Sequence, residues 1–121
     1  MACLFNSLSY FIKIDSYTLR QEICNYLEQN KPIIDGLETK DILAMEGEHY
    51  IENMRKHHTW GGAIEIQAAC NIWNIKIHVN CRRGNDQSTI EFLPISSEQV
   101  NDEPRKEIAL EWTGGHYEPV R

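Results

Sequence analysis

The stretch AIEIQAACNIWNIKIHVN, from Ala63 to Asn80, contains the change of hydrophobic period that decides the fold class. In its first half, apolar residues recur at spacings of three and four, as on one face of a helix: Ile66, Ala69, Cys70 and Trp73. In its second half they alternate with polar residues, as in a half-buried strand: Ile75, Ile77 and Val79. The pattern predicts a helix from Ala63 to Trp73 that is followed at once by a strand.

The segment before this stretch carries helical spacing only. Apolar stripes predict helices over residues 4–14, 16–27, 41–45 and 50–56. Ser16 or Thr18 is expected to cap the second of these helices, and Asn30-Lys31-Pro32 to stop it. The N-terminal half of the chain is therefore predicted to be helical.

The segment after it reads as strands and turns. A strand is predicted over 89–93, where Pro94 ends it, and another over 108–112, where Ile108, Leu110 and Trp112 alternate with other residues. A last strand over 116–120 completes the predicted sheet, with a turn over 82–87 and a polar loop over 96–106. Helices first and strands last predict a single α+β domain over residues 1–121, with N-terminal helices packed on a small, mixed and mainly antiparallel C-terminal sheet.

Composition narrows the class of protein. The chain has 121 residues, 41% hydrophobic and 25% charged, which is typical of a globular domain. Its net charge of −6 disfavours a nucleic-acid partner, and no apolar run is long enough to predict a membrane span. The absence of a basic and apolar leader argues against secretion and favours the cytoplasm or the nucleus. Without a CxxC pair we expect no structural zinc, and we expect no metal or cofactor.

A cysteine near the start of the chain and a histidine near its end are the candidate catalytic residues. Cys3 opens the apolar helical run Cys3–Leu8, where the positive end of the helix dipole lowers the pKa of a thiol. His116 follows the pair Gly114-Gly115 and is a candidate general base. Taken alone, each has an ordinary explanation: a cysteine in a frayed terminus, and a polar surface histidine.

Glu118 is the candidate third residue of the site. It stands two positions after His116, so in a strand both side chains point to the same face and the carboxylate can orient the imidazole. A solvated carboxylate on an edge strand is the alternative, and both remain open at this point.

Three phrases occur in a characteristic order: Cys3-Leu4-Phe5, then Thr59-Trp60-Gly61-Gly62 with Glu65 and Ala68, then Gly114-Gly115-His116-Tyr117. Together they resemble the ovarian tumour (OTU) family of cysteine deubiquitinases. The resemblance implies a papain-like α+β fold. It also implies hydrolysis of the peptide or isopeptide bond after the C-terminal glycine of ubiquitin or a ubiquitin-like modifier.

The resemblance also assigns roles to residues. It implies that Cys3 is the nucleophile, that His116 is the base, and that Glu118 orients the histidine. Backbone amides at Ala2 and Cys3 would hold the oxyanion. The residues expected to bind the substrate are Trp60, Gly61, Gly62 and Tyr117. Trp60 would lie near the channel for the modifier's tail, although a core tryptophan is the plainer alternative. The wider partner surface is expected to include Trp60, the turn 82–87 and the loop 96–106.

One part of the family pattern is missing. The family's cysteine phrase is Asp-Gly-x-Cys-Leu-Phe, and here Met1 and Ala2 occupy the Gly-x positions. Because that loop supplies oxyanion donors in the family, an alternative function stays open: an OTU-like module that binds ubiquitin or a host protein without cleaving it. A thiol enzyme of the same geometry with a different acyl substrate is a third possibility.

Overall fold

The computed structural model describes residues 3–56, 59–95, 106–114 and 116–120, with Cys3 and Arg83 described by their backbone alone. Helices precede strands along this part of the chain. The helices are α1 (Cys3–Ile12), α2 (Ser16–Glu28), α3 (Thr39–Glu46), α4 (Tyr50–Met54) and α5 (Ala63–Trp73). The strands are β1 (Ile75–Arg83), β2 (Asp86–Phe92), β3 (Lys106–Trp112) and β4 (Tyr117–Pro119).

The strands form one mixed sheet in the order β2-β1-β3-β4. β1 pairs antiparallel with β2 and parallel with β3, with Ile77 opposite Ile108, and β3 pairs antiparallel with β4. The predicted α+β class and mixed sheet are therefore confirmed. The predicted turn over 82–87 is too wide, because β1 continues to Arg83 and β2 begins at Asp86. Gly84 makes the reversal with φ of 58°, which glycine adopts without strain.

The helix ends differ from the predicted ends for local reasons. α1 stops two residues early, at Ile12, where Lys13 adopts a left-handed φ of 70°. The cap of α2 is Asp15, whose carboxylate accepts a hydrogen bond from the Thr18 backbone N–H at 2.9 Å. The prediction of Ser16 or Thr18 as the cap was wrong.

The core lies between the helices and one face of the sheet. Most of its residues come from α1, α2, α5, β1 and β3, among them Leu4, Phe5, Leu8, Leu19, Ile23, Ile66, Ile77 and Leu110. Cys24 and Cys70 are fully buried within it, as their apolar positions predict. The other face of the sheet is polar. There His78 lies 3.6 Å from Glu91 and 3.8 Å from Glu107.

Helix α1 packs along the edge of the sheet in a defined direction. The Ser7 hydroxyl donates a hydrogen bond to the Tyr117 carbonyl at 3.2 Å, at the start of β4. Four residues later, the Lys106 ammonium at the start of β3 donates to the Phe11 carbonyl at 2.7 Å. Because β3 and β4 are antiparallel, α1 runs along β4 in the same direction as that strand. The beginning of α1 therefore lies at the end of the sheet where β4 begins.

Candidate active site

The first turn of α1 carries Cys3 to the beginning of β4. The backbone of Cys3 stands one turn before Ser7, about 6 Å along the helix axis at 1.5 Å per residue. Since Ser7 contacts Tyr117, the Cys3 backbone lies toward His116, the residue before Tyr117. N–H groups in the first turn of a helix have no partner within the helix, and the dipole there favours a thiolate. The fold thus directs the Cys3 end of α1 toward the end of the sheet where His116 lies.

His116 and Glu118 lie in contact with each other. The distance from His116 Nε2 to Glu118 Oε1 is 3.3 Å, and the two side chains are 51% and 67% exposed. His116 itself precedes β4, which begins at Tyr117, so the predicted strand over 116–120 is shorter than expected. Its carbonyl accepts a hydrogen bond from the Thr113 N–H at 3.0 Å. The Glu118 carboxylate is thus exposed to solvent and also close enough to orient the His116 imidazole.

The Trp60-Gly61-Gly62 segment lies directly on the residues that follow Cys3. A Cβ atom at Gly61 would stand 2.7 Å from a terminal methyl of Leu4 and 3.0 Å from the Phe5 ring. Real carbon atoms do not approach so closely, so this contact requires glycine. Trp60 is 57% exposed, and the alternative of a core tryptophan was wrong. With Gly61, Gly62 and Glu46, its indole lines a groove of about 550 Å³.

Glu65 explains why the glycine segment keeps its shape. This carboxylate is fully buried. One of its oxygens accepts the Gly62 N–H at 2.7 Å, and the other accepts the Tyr50 hydroxyl at 2.6 Å. Burial raises the pKa of Glu65, and the hydrogen bonds from Tyr50 and Gly62 oppose this rise. Burial and the neighbouring Glu65 charge raise the pKa of the Tyr50 phenol. In the sequence, Glu65 stands out by its capping-box position at the start of α5.

Arg20 is a buried residue that contacts Phe5 of α1, and the sequence did not predict this role. It is 2% exposed, donates to the Met54 carbonyl at 2.7 Å, and places its guanidinium 4.0 Å from the centroid of the Phe5 ring. Burial lowers the pKa of Arg20, while the nearby Glu65 charge opposes this effect. No sequence signal distinguishes Arg20 from a surface arginine, because its partners come from other elements.

The other predicted site residues divide into two groups. Tyr117 is half-buried and does not line the Trp60 groove. It lines a second, apolar cleft of about 190 Å³ with Cys81 and Trp112, and Ala63 lines both the cleft and the groove. Ala2 and the loop residues 96–105 lie outside the described residues, so the predicted oxyanion donor and that part of the partner surface stay predictions.

Within the described ranges, no group of three His, Cys, Asp or Glu side chains is placed to hold a metal ion. The same ranges contain no helix long and apolar enough to cross a membrane.

An α+β fold in which a helix that begins with a cysteine packs along a strand that a histidine precedes is compatible with a papain-like cysteine protease. The chain belongs to the OTU-like cysteine protease family, whose sequence model matches residues 2–117. This finding confirms the family resemblance drawn from the three phrases.

Similar proteins agree with this assignment. The chain is 30% identical over 100 residues to OVARIAN TUMOR DOMAIN-containing deubiquitinating enzyme 11 of Arabidopsis thaliana, covering 82% of this chain and 36% of that protein. It thus spans about a third of the length of the curated relatives it matches. The solved OTU domain of OTUD1 has a TM-score of 0.73 at 23% identity, covering 99% of this chain and 79% of that one. An OTU domain solved in complex with ubiquitin has a TM-score of 0.66 at 22% identity, covering 98% and 62%. These structures confirm the papain-like OTU fold.

Proposed function

We propose that this chain is a thiol-dependent ubiquitinyl hydrolase, which cleaves the peptide or isopeptide bond after the C-terminal glycine of ubiquitin or a ubiquitin-like modifier. The observation that carries the proposal is the packing of α1 along β4. It directs the N-terminal end of α1 toward the end of the sheet where His116 precedes β4, and Glu118 lies 3.3 Å from the imidazole. A relative named as a deubiquitinating enzyme and a ubiquitin-bound structural neighbour support the substrate class.

The contact between His116 and Glu118 suggests how the imidazole works. If Nε2 carries the proton of the neutral imidazole and donates a hydrogen bond to the Glu118 carboxylate, then Nδ1 is free to accept the proton of the Cys3 thiol. The thiolate attacks the glycine carbonyl, and the imidazolium then protonates the departing lysine amine, which leaves a thioester on Cys3. The same imidazole removes a proton from water, the hydroxide attacks the thioester, and the Cys3 sulfur leaves as the thiolate.

The oxyanion of each tetrahedral intermediate needs donors that are already in position. We assign this role to backbone N–H groups in the first turn of α1, which begins at Cys3, together with the amide of Ala2. Removal of one such donor costs on the order of 10² to 10³ in rate. The Met1-Ala2 sequence in the place of the family's Gly-x therefore bears on the turnover number more than on substrate binding.

The groove beside Trp60 is the proposed path of the modifier's tail. Gly61 and Gly62 contribute backbone without side chains, and the exposed indole of Trp60 forms a wall. Glu46 and Glu48 line the same groove with exposed carboxylates. The backbone of Gly61 and Gly62 leaves room for a flexible tail that ends in glycine, and Trp60 and the two carboxylates would favour cationic side chains on that tail.

The proposal is tested with a ubiquitin probe that carries a C-terminal electrophile. We expect one covalent adduct by intact mass and its location at Cys3 by peptide mapping. The adduct should be absent in Cys3→Ala and formed more slowly in His116→Ala. Cys81→Ala serves as the matched control, since it removes a half-exposed thiol elsewhere and should leave the labelling unchanged.

The outcomes separate the two functional classes. A folded protein that binds ubiquitin in a calorimetric titration but forms no adduct would show the non-cleaving module and overturn the proposed hydrolase. An adduct that maps to Cys81 rather than Cys3 would overturn the assignment of the nucleophile.

A further inference from the structure

Ser7 is a buried hydroxyl that connects two elements of the proposed site. It is 3% exposed, and it donates from α1 to the Tyr117 carbonyl of β4 at 3.2 Å. A hydroxyl buried in a core needs such a partner, because an unpaired one costs about 1–3 kcal/mol. The residue has no part in the chemistry proposed above.

The pairing of β4 explains why the Tyr117 carbonyl accepts this bond. The Thr113 N–H donates to the His116 carbonyl, and Trp112 stands opposite Tyr117 in the register. In an antiparallel ladder this makes Trp112 and Tyr117 a pair without mutual hydrogen bonds, so the peptide groups of Tyr117 point away from β3. β4 is at the edge of the sheet, and Ser7 satisfies a carbonyl on its outer side.

His116 is thereby fixed from both sides. Its own carbonyl is held by Thr113 on the sheet side, and the next carbonyl along the chain is held by Ser7 on the α1 side. Positions 3 and 7 are one helical turn apart and share one side of α1. The Ser7 bond therefore joins the helix of the proposed nucleophile to the chain segment of the proposed base.

Building on the proposed function, we propose that Ser7 is a positioning residue: through the Tyr117 carbonyl, its hydroxyl sets the separation and register between Cys3 and His116. The apolar contacts of Leu4 and Leu8 hold α1 on the core, but apolar contact has no preferred direction. A hydrogen bond restricts both distance and angle. A misplacement of about 1 Å at a reacting pair can cost on the order of 10²-fold in rate.

The test measures the thiol and the turnover separately. Iodoacetamide alkylation of Cys3, followed across pH by peptide mass spectrometry, gives the apparent pKa of its thiol without any ubiquitin. We expect a wild-type pKa below the ordinary thiol value of about 8.5, because imidazolium and the helix dipole stabilise the thiolate. Ser7→Ala should raise it toward the value of His116→Ala, and should lower kcat on a ubiquitin substrate by roughly 10–100-fold with KM unchanged. Ser7→Thr, which keeps a hydroxyl, should restore both quantities.

Thr39→Val is the matched control. Thr39 is also buried, and its hydroxyl also donates to a backbone carbonyl, that of Lys31, but it belongs to α3. We expect this variant to lose stability like Ser7→Ala and to leave the Cys3 titration and kcat unchanged.

Two results would overturn the role of Ser7. In the first, Ser7→Ala loses stability while the Cys3 pKa and kcat keep their wild-type values. In the second, wild-type Cys3 titrates as an ordinary thiol and does not respond to His116→Ala. A Ser7→Ala shift in the Cys3 pKa, in a protein that never reacts with ubiquitin, would instead uphold the positioning role and refute the proposed substrate.

Discussion

Gly61→Ala tests most directly whether the Trp60-Gly61-Gly62 segment contacts Leu4 and Phe5 of α1. The added methyl would stand 2.7 Å from Leu4 and 3.0 Å from two atoms of the Phe5 ring. Carbon atoms in favourable contact are about 3.5–4.0 Å apart, so neighbouring atoms must move by roughly 0.5–1 Å. The Leu4 methyl can rotate away. The Phe5 ring is fully buried and has Arg20 stacked on it, so it has little room. We expect an overpacking cost of about 1–3 kcal/mol.

The measurement is urea unfolding followed by circular dichroism, with thermal unfolding beside it. A loss of about 2 kcal/mol corresponds to a fall in Tm of roughly 5–10 °C for a domain of this size. Labelling of Cys3 by the ubiquitin probe should also slow at temperatures where the variant is folded, because Leu4 and Phe5 belong to the same first turn of α1.

Gly62→Ala is the control next to it in the chain. A Cβ atom at Gly62 meets nothing within 4 Å, and the φ of −151° is open to any residue. Alanine is a poorer N-cap than glycine by roughly 0.5–1 kcal/mol, about as much as alanine gains by restricting the unfolded chain. The stability of Gly62→Ala should therefore stay close to wild type. Equal stabilities for Gly61→Ala and Gly62→Ala would refute the close contact and, with it, the physical reason given for the motif.

Further expectations concern three other parts of the molecule. Tyr50→Phe removes a hydrogen bond from the buried Glu65 and should cost about 1–3 kcal/mol in urea unfolding. Burial raises the pKa of Glu65 in the folded state. The free energy of unfolding should therefore be greatest below the ordinary pKa of 4.5 and should fall as pH rises through the folded pKa. Glu65→Gln should remove this pH dependence. The pKa of Asp15 is lowered by hydrogen bonds at the cap of α2. Asp15→Ala should therefore lower Tm above pH 3.8, and the difference from wild type should shrink as pH falls through the folded pKa. Maleimide at neutral pH should label Cys81 in the folded protein, and Cys70, whose pKa burial raises to about 12, only after unfolding.

Where a segment has a strong period and clear ends, its structure could be predicted from the sequence. The helix Ala63–Trp73 has the predicted bounds, since Gly62 begins it and Asn74 ends it in the left-handed conformation, with φ of 53°. The β1–β2 hairpin was predicted less well. β2 begins with Asp86, Gln87 and Ser88, which are polar and show no apolar alternation, so the predicted strand began three residues late, at Thr89.

Residues that depend on long-range contacts could not be found in the same way. Arg20 sits beside an apolar stripe in α2, and only the folded chain brings Phe5 and Met54 to it. For Trp60 the sequence supported two interpretations, a core tryptophan and a residue near the substrate channel. The exposed indole, which lines the groove, contradicts burial in the core and leaves the second interpretation as a prediction.

Helix α1 is the element on which the parts of the proposed site converge. Gly61 rests on Leu4 and Phe5 from one side, and β4 is bonded to Ser7 from the other. Leu4, Phe5 and Leu8 of α1 are at most 1% exposed, so the first two turns of the helix are held by the core rather than by loops. A site on such an element keeps its geometry better than one built on loops. Perturbations of α1 packing should therefore impair thiol reactivity and substrate cleavage together. Changes in the solvent-exposed side chains of β2 should leave thiol reactivity intact.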